Sequence, residues 1–238
     1  RISITPESAK NIIALGLNVS LETNYAKHIG INNQDYENVG VTILSSAEEV
    51  IKNCNLLVQV ECPSDQTIKN LKEKTILLGI FNPSKNQSKL EEVIKKNVKI
   101  FSLELLPRIS RAQSMDVLSS QSNLAGYRSV IESIYEYERA VPMMMTAAGT
   151  VLAAKVLVIG AGVAGLQAIA TAKRLGAIVS ATDVRQASKE QVESLGGKFL
   201  TVEQTENLET KGGYAKETSE EFKKKQADLL KDALTKND

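Results

Sequence analysis

The sequence contains few of the residues that metal and disulfide chemistry require. Among 238 residues it has two cysteines, Cys54 and Cys62, and a single histidine, His28. Two cysteines are too few for a disulfide scaffold, and their spacing does not match a metal site. One histidine excludes a histidine cluster, and no nucleophile stands beside it in the sequence. We therefore expect no metal site, a surface position for His28 and core positions for both cysteines.

Long apolar runs and an excess of one charge are also absent. No stretch approaches the roughly 20 apolar residues that cross a bilayer, so we expect no direct membrane insertion. The 29 basic and 28 acidic residues leave a net charge of +1, which argues against binding to nucleic acid. A content of 42% hydrophobic residues is that of an ordinary globular protein, and the length suits two domains.

Short β-branched runs alternate with amphipathic stretches over the first hundred residues. This alternation is typical of βα units that form a largely parallel sheet. Thr5 is suited to cap a first helix that begins at Pro6, and we expect Ser46, Ser64 and Ser88 to cap the following helices. The predicted strands are 18–21, 41–44, 56–60, 75–81 and 99–105.

A long amphipathic helix is predicted over residues 114–140, and a second α/β pattern follows it. That pattern predicts strands at 155–159, 178–182 and 198–202, with helices at 162–175, up to 191, and within 217–236. The predicted fold class is α/β, with two Rossmann-like domains that have largely parallel sheets and are joined by the long helix. The predicted boundaries are an N-terminal domain at 1–120 without its first strand, a connecting helix at 121–142 and a Rossmann domain at 143–238 without its C-terminal half.

The strand at 155–159 runs directly into a glycine turn, residues 160–165, that has the pattern GxGxxG. In this context, with a strand before and a helix after, the pattern indicates a dinucleotide site. Gly160 permits the tight turn, Gly162 lets the backbone approach a pyrophosphate, and Gly165 lets the helix pack closely.

Asp183 follows the next predicted strand, 18 residues after the last glycine. A carboxylate there can accept hydrogen bonds from both hydroxyls of the adenosine ribose and would repel a 2′-phosphate, which favours NAD over NADP. Arg185 leaves an alternative open, because an arginine at this place can meet a phosphate. It can also be a surface residue or cover the adenine.

A dense polar block follows the fifth predicted strand, between Pro107 and Asp116. Ligands of parallel α/β sheets bind beyond the carboxyl ends of the strands, so the block suits a binding site. It suits equally the start of a helix that Ser114 caps, with Asp116 complementing the helix dipole. Composition leaves both interpretations open.

Five segments of the sequence form a distinctive set. They are RISRAQSMD at 108–116 with VLSSQSNLAGYR after it, MMMTAAGT at 143–150, the segment 158–176 around the glycine turn, ATDVR at 181–185 and KEQVESLGGKF at 189–199. With these segments the chain resembles the alpha subunit of proton-translocating NAD(P) transhydrogenases. The resemblance is close over 100–228 and looser before. It implies a component that binds NAD(H) in the interdomain cleft and passes hydride directly to NADP on a partner component, coupled to proton movement. It also implies a transmembrane partner component, a homodimer, and a peripheral position, through partner subunits, on the cytoplasmic or matrix face of the inner membrane.

The resemblance implies roles for individual residues by position. Hydride passes between two nicotinamides without a protein acid or base, so the site residues position the ring and exclude water. Val163 is expected at the pyrophosphate, Asp183, Val184 and Arg185 at the adenosine ribose, and the loop around Gly213 and Tyr214 over the bound nucleotide. The residues expected at the nicotinamide are Arg108, Gln113, Ser114, Met115 and Asp116, with Ser119 nearby. The residues expected to serve the reaction itself are Arg108, Gln113, Asp116 and Ser119, together with Tyr214 of the loop.

Two alternatives remain. Alanine dehydrogenase shares the architecture, but its catalytic lysine and histidine are absent from the corresponding segments QVECP at 59–63 and LGIFNP at 78–83. The second is a non-catalytic NAD-binding module from a split gene. Because strands are expected to be missing at both ends, we expect this segment alone to show little or no hydride transfer.

Overall fold

The computed structural model describes residues 1–107, 109–202 and 219–238. The chain divides into two compact units, Arg1–Asp116 and Val117–Asp238. Each unit combines helices with a parallel sheet, which confirms the predicted α/β class with largely parallel sheets.

The first unit contains parallel strands that pair in two groups. β1 pairs with β2, and β4 lies between β3 and β5. Its strands are β1 (Ser20–Glu22), β2 (Thr42–Leu44), β3 (Leu56–Val58), β4 (Ile76–Gly79) and β5 (Lys99–Ser102). Its helices are α1 (Pro6–Ala14), α2 (Asn33–Glu37), α3 (Ala47–Asn53), α4 (Asp65–Asn70) and α5 (Gln87–Lys95), with short 3₁₀ helices at Lys27–Ile29, Leu103–Leu105 and Ser110–Met115.

Hydroxyl caps begin three of these helices as predicted. The side chains of Thr5, Ser46 and Ser64 accept hydrogen bonds from backbone N–H groups in the first turns of α1, α3 and α4. The predicted cap at Ser88 is wrong, because α5 begins at Gln87 and Asn86 occupies the cap position. The Asn86 side chain instead donates to the carbonyl of Phe81 at 2.8 Å, so the preceding loop determines where this helix starts.

Two apolar clusters form the core of the first unit. One surrounds the buried Leu77, Phe81 and Val93, and the other surrounds the buried Tyr36. Cys54 and Cys62 pack against the first cluster, and burial raises the pKa of both thiols. His28 is exposed on its 3₁₀ helix, as predicted.

The second unit contains a three-stranded parallel sheet in the order β10, β9, β8 and a separate antiparallel hairpin. The hairpin, β6 with β7, was not predicted. The unit comprises helices α6 (Val117–Tyr137), α7 (Val163–Arg174), α8 (Ser188–Ser194) and α9 (Glu220–Leu234), and strands β6 (Met144–Thr146), β7 (Gly149–Val151), β8 (Lys155–Ile159), β9 (Ile178–Thr182) and β10 (Lys198–Leu200).

The core of the second unit lies between helix α7, the sheet and the long helix α6. Ile169 of α7 and Val192 of α8 are fully buried there, and Val130 of α6 packs into the same cluster. Helix α6 therefore shares the core of the unit that carries the glycine turn. No helix in the described ranges combines the length and apolar character needed to span a membrane.

Candidate functional site

The glycine turn lies between the end of β8 and the start of α7. Gly160 follows the last residue of β8 and adopts φ +95°, in the left-handed region that favours glycine. Its N–H donates to the carbonyl of Thr182, the last residue of β9, at 2.8 Å. The turn is thereby fixed to the carboxyl ends of two neighbouring strands, where parallel sheets bind their ligands.

Gly165 allows the first turn of α7 to lie against the glycine turn. A Cβ atom built on Gly165 would overlap the carbonyl group of Gly160. No residue larger than glycine fits there unless the backbone moves, which agrees with the close-packing role predicted for Gly165.

Gly162 is different, because neither its backbone conformation nor its surroundings require glycine. It precedes α7 in an extended conformation, with φ −78° and ψ −167°, that any residue adopts. In the part of the chain that the structure describes, the nearest atom to a Cβ built there, apart from its chain neighbours, is Nη2 of Arg185, at 4.0 Å. Space is therefore left open beside the N-terminus of α7, where backbone N–H groups and the helix dipole favour an anion.

Asp183 follows β9 and is held in place by the glycine turn. Its Oδ2 accepts hydrogen bonds from the N–H of Ala161 at 2.7 Å and from Nη2 of Arg185 at 3.0 Å. Its Oδ1 accepts from the backbone N–H of Arg185 at 2.8 Å and from Nε of Arg185 at 2.9 Å. The Asp183 side chain is only 8% exposed, and that of Arg185 is 21% exposed.

These contacts set the charge state of Asp183. Burial raises the pKa of the carboxyl, but the hydrogen bonds from Arg185 and Ala161 and the positive charge of Arg185 outweigh burial, so the pKa is lowered from its usual value. Asp183 is therefore ionised at neutral pH. Val184, between the two partners, is partly buried.

The pairing of Asp183 with Arg185 was not predicted. The sequence interpretation treated the two residues separately, one at a ribose and the other at a phosphate, a surface or the adenine. The D-x-R spacing after a strand is the signal that could have indicated it, since the two side chains then leave the same strand end.

The polar block after β5 forms the 3₁₀ helix Ser110–Met115 and not the start of α6. The block buries Ala112 and leaves Gln113, Ser114 and Met115 exposed, while Asp116 and Ser119 are partly buried. Ser114 lies within the 3₁₀ helix, so the predicted cap at Ser114 is wrong, whereas Asp116 directly precedes α6, where a negative charge complements the helix dipole. Exposed polar side chains near the end of a parallel strand remain suited to a ligand.

Three residues predicted for the site fall outside the described part of the chain. They are Arg108, Gly213 and Tyr214.

Of the two segments that correspond to the catalytic residues of alanine dehydrogenase, 59–63 follows β3, and 78–83 begins within the end of β4. The side-chain amide of Gln59 donates to the carbonyl of Glu61 at 2.5 Å. The N–H of Asn82 donates to the carboxylate of Glu104, whose other oxygen accepts from the hydroxyl of Ser102 at 2.8 Å. Among the described residues, no group of three or more His, Cys, Asp or Glu side chains is arranged to hold a metal ion.

The parallel sheets, the glycine turn and the acidic residue after β9 define a Rossmann-like α/β protein. The protein-family model of the alanine dehydrogenase/PNT N-terminal domain matches residues 1–125 of the sequence. The family model of the corresponding C-terminal domain matches residues 129–238. The chain belongs to the alanine dehydrogenase/PNT family.

Known relatives confirm the resemblance to transhydrogenase alpha subunits. An NAD(P) transhydrogenase alpha subunit of Rhodospirillum rubrum is 50% identical over 245 residues, which cover 100% of this chain and 64% of that protein. The crystal structure of transhydrogenase from Sinorhizobium meliloti matches with a TM-score of 0.81 and 49% identity, over 84% of this chain and 60% of that one. Alanine dehydrogenase of Methanococcus maripaludis is more distant, with 22% identity over 84% of this chain and 54% of its own length. The chain thus spans less than two thirds of the length of each of these relatives.

Proposed function

We propose that the chain forms part of the NAD(H)-binding component of a proton-translocating NAD(P) transhydrogenase. In the complete enzyme, hydride passes directly from NADH on this component to NADP⁺ on a partner component, coupled to proton translocation. The observation that carries the proposal is the glycine turn bonded to Asp183 through Ala161, in a chain that is 50% identical along its whole length to a transhydrogenase alpha subunit. The much lower identity to alanine dehydrogenase favours it over amino-acid oxidation.

The second unit is proposed to hold the adenosine half of NAD(H). The pyrophosphate lies beside Gly162 and the N-terminus of α7, where open space and backbone donors fit two phosphates. Gly160 and Gly165 shape the turn, and Val163 begins the helix. The residues proposed at the adenosine ribose are Asp183, Val184 and Arg185.

The polar block of the first unit is proposed to contact the nicotinamide. The cofactor supplies the hydride, so protein groups need only orient the ring and exclude water. The residues proposed there are Arg108, Gln113, Ser114, Met115, Asp116 and Ser119, and Gly213 and Tyr214 are proposed to close over the nucleotide. Support comes from the exposed polar side chains near the end of β5.

The substitution Gly162→Ala tests the cofactor site. Among the described residues, the nearest atom to a Cβ at this position is Nη2 of Arg185, at 4.0 Å, so the fold should tolerate the methyl group. A methyl group beside the pyrophosphate should weaken NADH binding by about tenfold or more. Adenosine, which lacks the pyrophosphate, should bind the variant and the unaltered protein alike.

Gly165→Ala is the matched comparison, because its Cβ would overlap the carbonyl group of Gly160. This variant should lose stability as well as binding, measured by urea unfolding and by titration with NADH. If Gly162→Ala binds NADH as the unaltered protein does, the proposed pyrophosphate position is wrong.

Hydride transfer between NADH and NADP⁺ tests the reaction. The complete protein is mixed with its NADP(H)-binding component, and exchange between the two nicotinamides is followed with an isotopically labelled hydride. Exchange supports the transhydrogenase reaction. NADH binding without exchange would favour a non-catalytic NAD-binding module, and oxidation of alanine by NAD⁺ would favour the dehydrogenase.

The proposed partners are the NADP(H)-binding and transmembrane components, together with a second copy of this chain. Through these components the protein would lie on the cytoplasmic or matrix face of the inner membrane. The β6–β7 hairpin supports a homodimer. An isolated two-stranded hairpin is marginally stable in water, and large apolar side chains that include Met144 and Val151 are exposed on this one.

A further inference from the structure

The carboxylate of Asp183 accepts four hydrogen bonds, which is the number of acceptor positions that a carboxylate offers. Two of the donors are backbone N–H groups, of Ala161 and Arg185, and the fold fixes both. The other two are Nε and Nη2 of Arg185, which bind the two oxygens as a fork. A ribose with two hydroxyl donors therefore competes with the Arg185 side chain, since this donor alone can move away by rotating its own bonds.

The guanidinium also lies where a dinucleotide would pass. Nη2 of Arg185 is 4.0 Å from the position of a Cβ on Gly162, beside the proposed pyrophosphate. An arginine that leaves Asp183 therefore remains close to the phosphates and the ribose.

The ion pair changes the charge that a ligand meets. An ionised Asp183 without a partner repels a 2′-phosphate, which is the usual basis for preferring NAD over NADP. Asp183 and Arg185 together carry no net charge, so the repulsion of a 2′-phosphate is weakened.

We propose that Arg185 determines specificity at the ribose site: the ribose hydroxyls replace its guanidinium on Asp183, and its charge limits the discrimination of Asp183 against a 2′-phosphate. The inference rests on the proposed function, because it needs a dinucleotide at the glycine turn. It also predicts that removal of Arg185 makes the site more selective for NADH, which the position of Asp183 alone does not indicate.

The test compares Kd for NADH and for NADPH in the complete protein and in Arg185→Met, which keeps a long side chain without its charge. The two ligands differ only in the 2′-phosphate, so contacts of Arg185 with the pyrophosphate cancel in the ratio of their Kd values. The ratio of Kd for NADPH to Kd for NADH should rise by about tenfold or more in Arg185→Met, because no positive charge then offsets that of Asp183. Arg185→Gln should raise the ratio in the same direction, and it replaces the methionine variant if that variant does not fold.

Arg185→Lys is the control, since it keeps the positive charge beside Asp183. It should leave the ratio near that of the unaltered protein. A ratio that stays unchanged or falls in both neutral variants overturns the inference and leaves the proposed function intact. If the unaltered protein does not bind NADH, the proposed function fails as well.

Discussion

Gly126 of α6 lies directly against the backbone of Ala164 of α7. A Cβ atom built on Gly126 would overlap the carbonyl group of Ala164, so the two helices approach as closely as their backbones permit. Ala164 lies within the glycine turn, one residue before Gly165. Helix α6 therefore supports the first turn of α7, which the proposed function places beside the pyrophosphate.

Gly126→Ala should destabilise the protein although alanine favours helix formation. The intrinsic gain in an α-helix is at most about 1 kcal/mol. The backbone shift needed for a methyl group in this packed contact should cost roughly 1–3 kcal/mol and exceed that gain. Urea unfolding measures the change. Asn123→Ala, at an exposed position of the same helix, is the control and should not lower the free energy of unfolding. A Gly126→Ala variant as stable as this control would contradict the close contact.

The ion pair at Asp183 should make stability depend on pH in a defined direction. The pKa of Asp183 in the folded protein is lowered, so the pairing stabilises the fold at neutral pH, and this contribution is lost as the pH falls through the lowered pKa. The Asp183→Asn variant lacks this charge at every pH. The difference in free energy of unfolding between the unaltered protein and the variant should be largest near about pH 7 and shrink toward about pH 3.

Asp232→Asn is the control for this measurement. Asp232 of α9 pairs at 2.6 Å with Lys236, which follows the helix, but both side chains are largely exposed, and such surface pairs contribute little. A deficit for Asp183→Asn that is equal at both pH values would show that the lost interaction is not the titrating ion pair.

The elements around the glycine turn could be predicted because local sequence determines them. The bounds of β8 and β9 agree with the prediction, since a buried strand followed by GxGxxG leaves little choice of structure. The predictions for the α5 cap and for the start of α6 were wrong, because competing local hydrogen bonds determine both. Asn86 binds the preceding loop, and residues 110–115 form a 3₁₀ helix.

The remaining features are contacts between residues that the sequence interpretation considered one at a time. The fork from Arg185 to Asp183 requires two side chains to turn toward each other at one strand end, although both residues had been singled out separately. The close approach of Gly126 to Ala164 joins residues 38 positions apart, and nothing near Gly126 in the sequence indicates its partner.

Gln113→Ala should slow hydride transfer more than it weakens NADH binding. The Gln113 side chain is exposed on the 3₁₀ helix, so its loss should not disturb the fold. If the amide orients the nicotinamide, its removal should reduce the transfer rate by roughly tenfold to a hundredfold. Gln121→Ala, at another exposed glutamine, should change neither quantity. Transient kinetics with the partner component measures the transfer rate, and titration measures Kd for NADH. If the rate and the affinity for NADH fall by the same factor, Gln113 contributes to binding alone.

Met145→Glu tests whether a second copy covers the β6–β7 hairpin. Met145 is 73% exposed in β6, and Leu152, next to β7, is 75% exposed. If the hairpin lies in the dimer interface, a carboxylate at position 145 would be buried there without a partner. It should then raise the Kd of the dimer by about tenfold or more. Leu15→Glu introduces the same charge at a site that is 78% exposed, in the first unit, and should leave the dimer intact. Sedimentation of the complete protein over a range of concentrations distinguishes these outcomes. If both variants dimerise as the unaltered protein does, the hairpin lies outside the interface, and a protein that is monomeric throughout has no such interface.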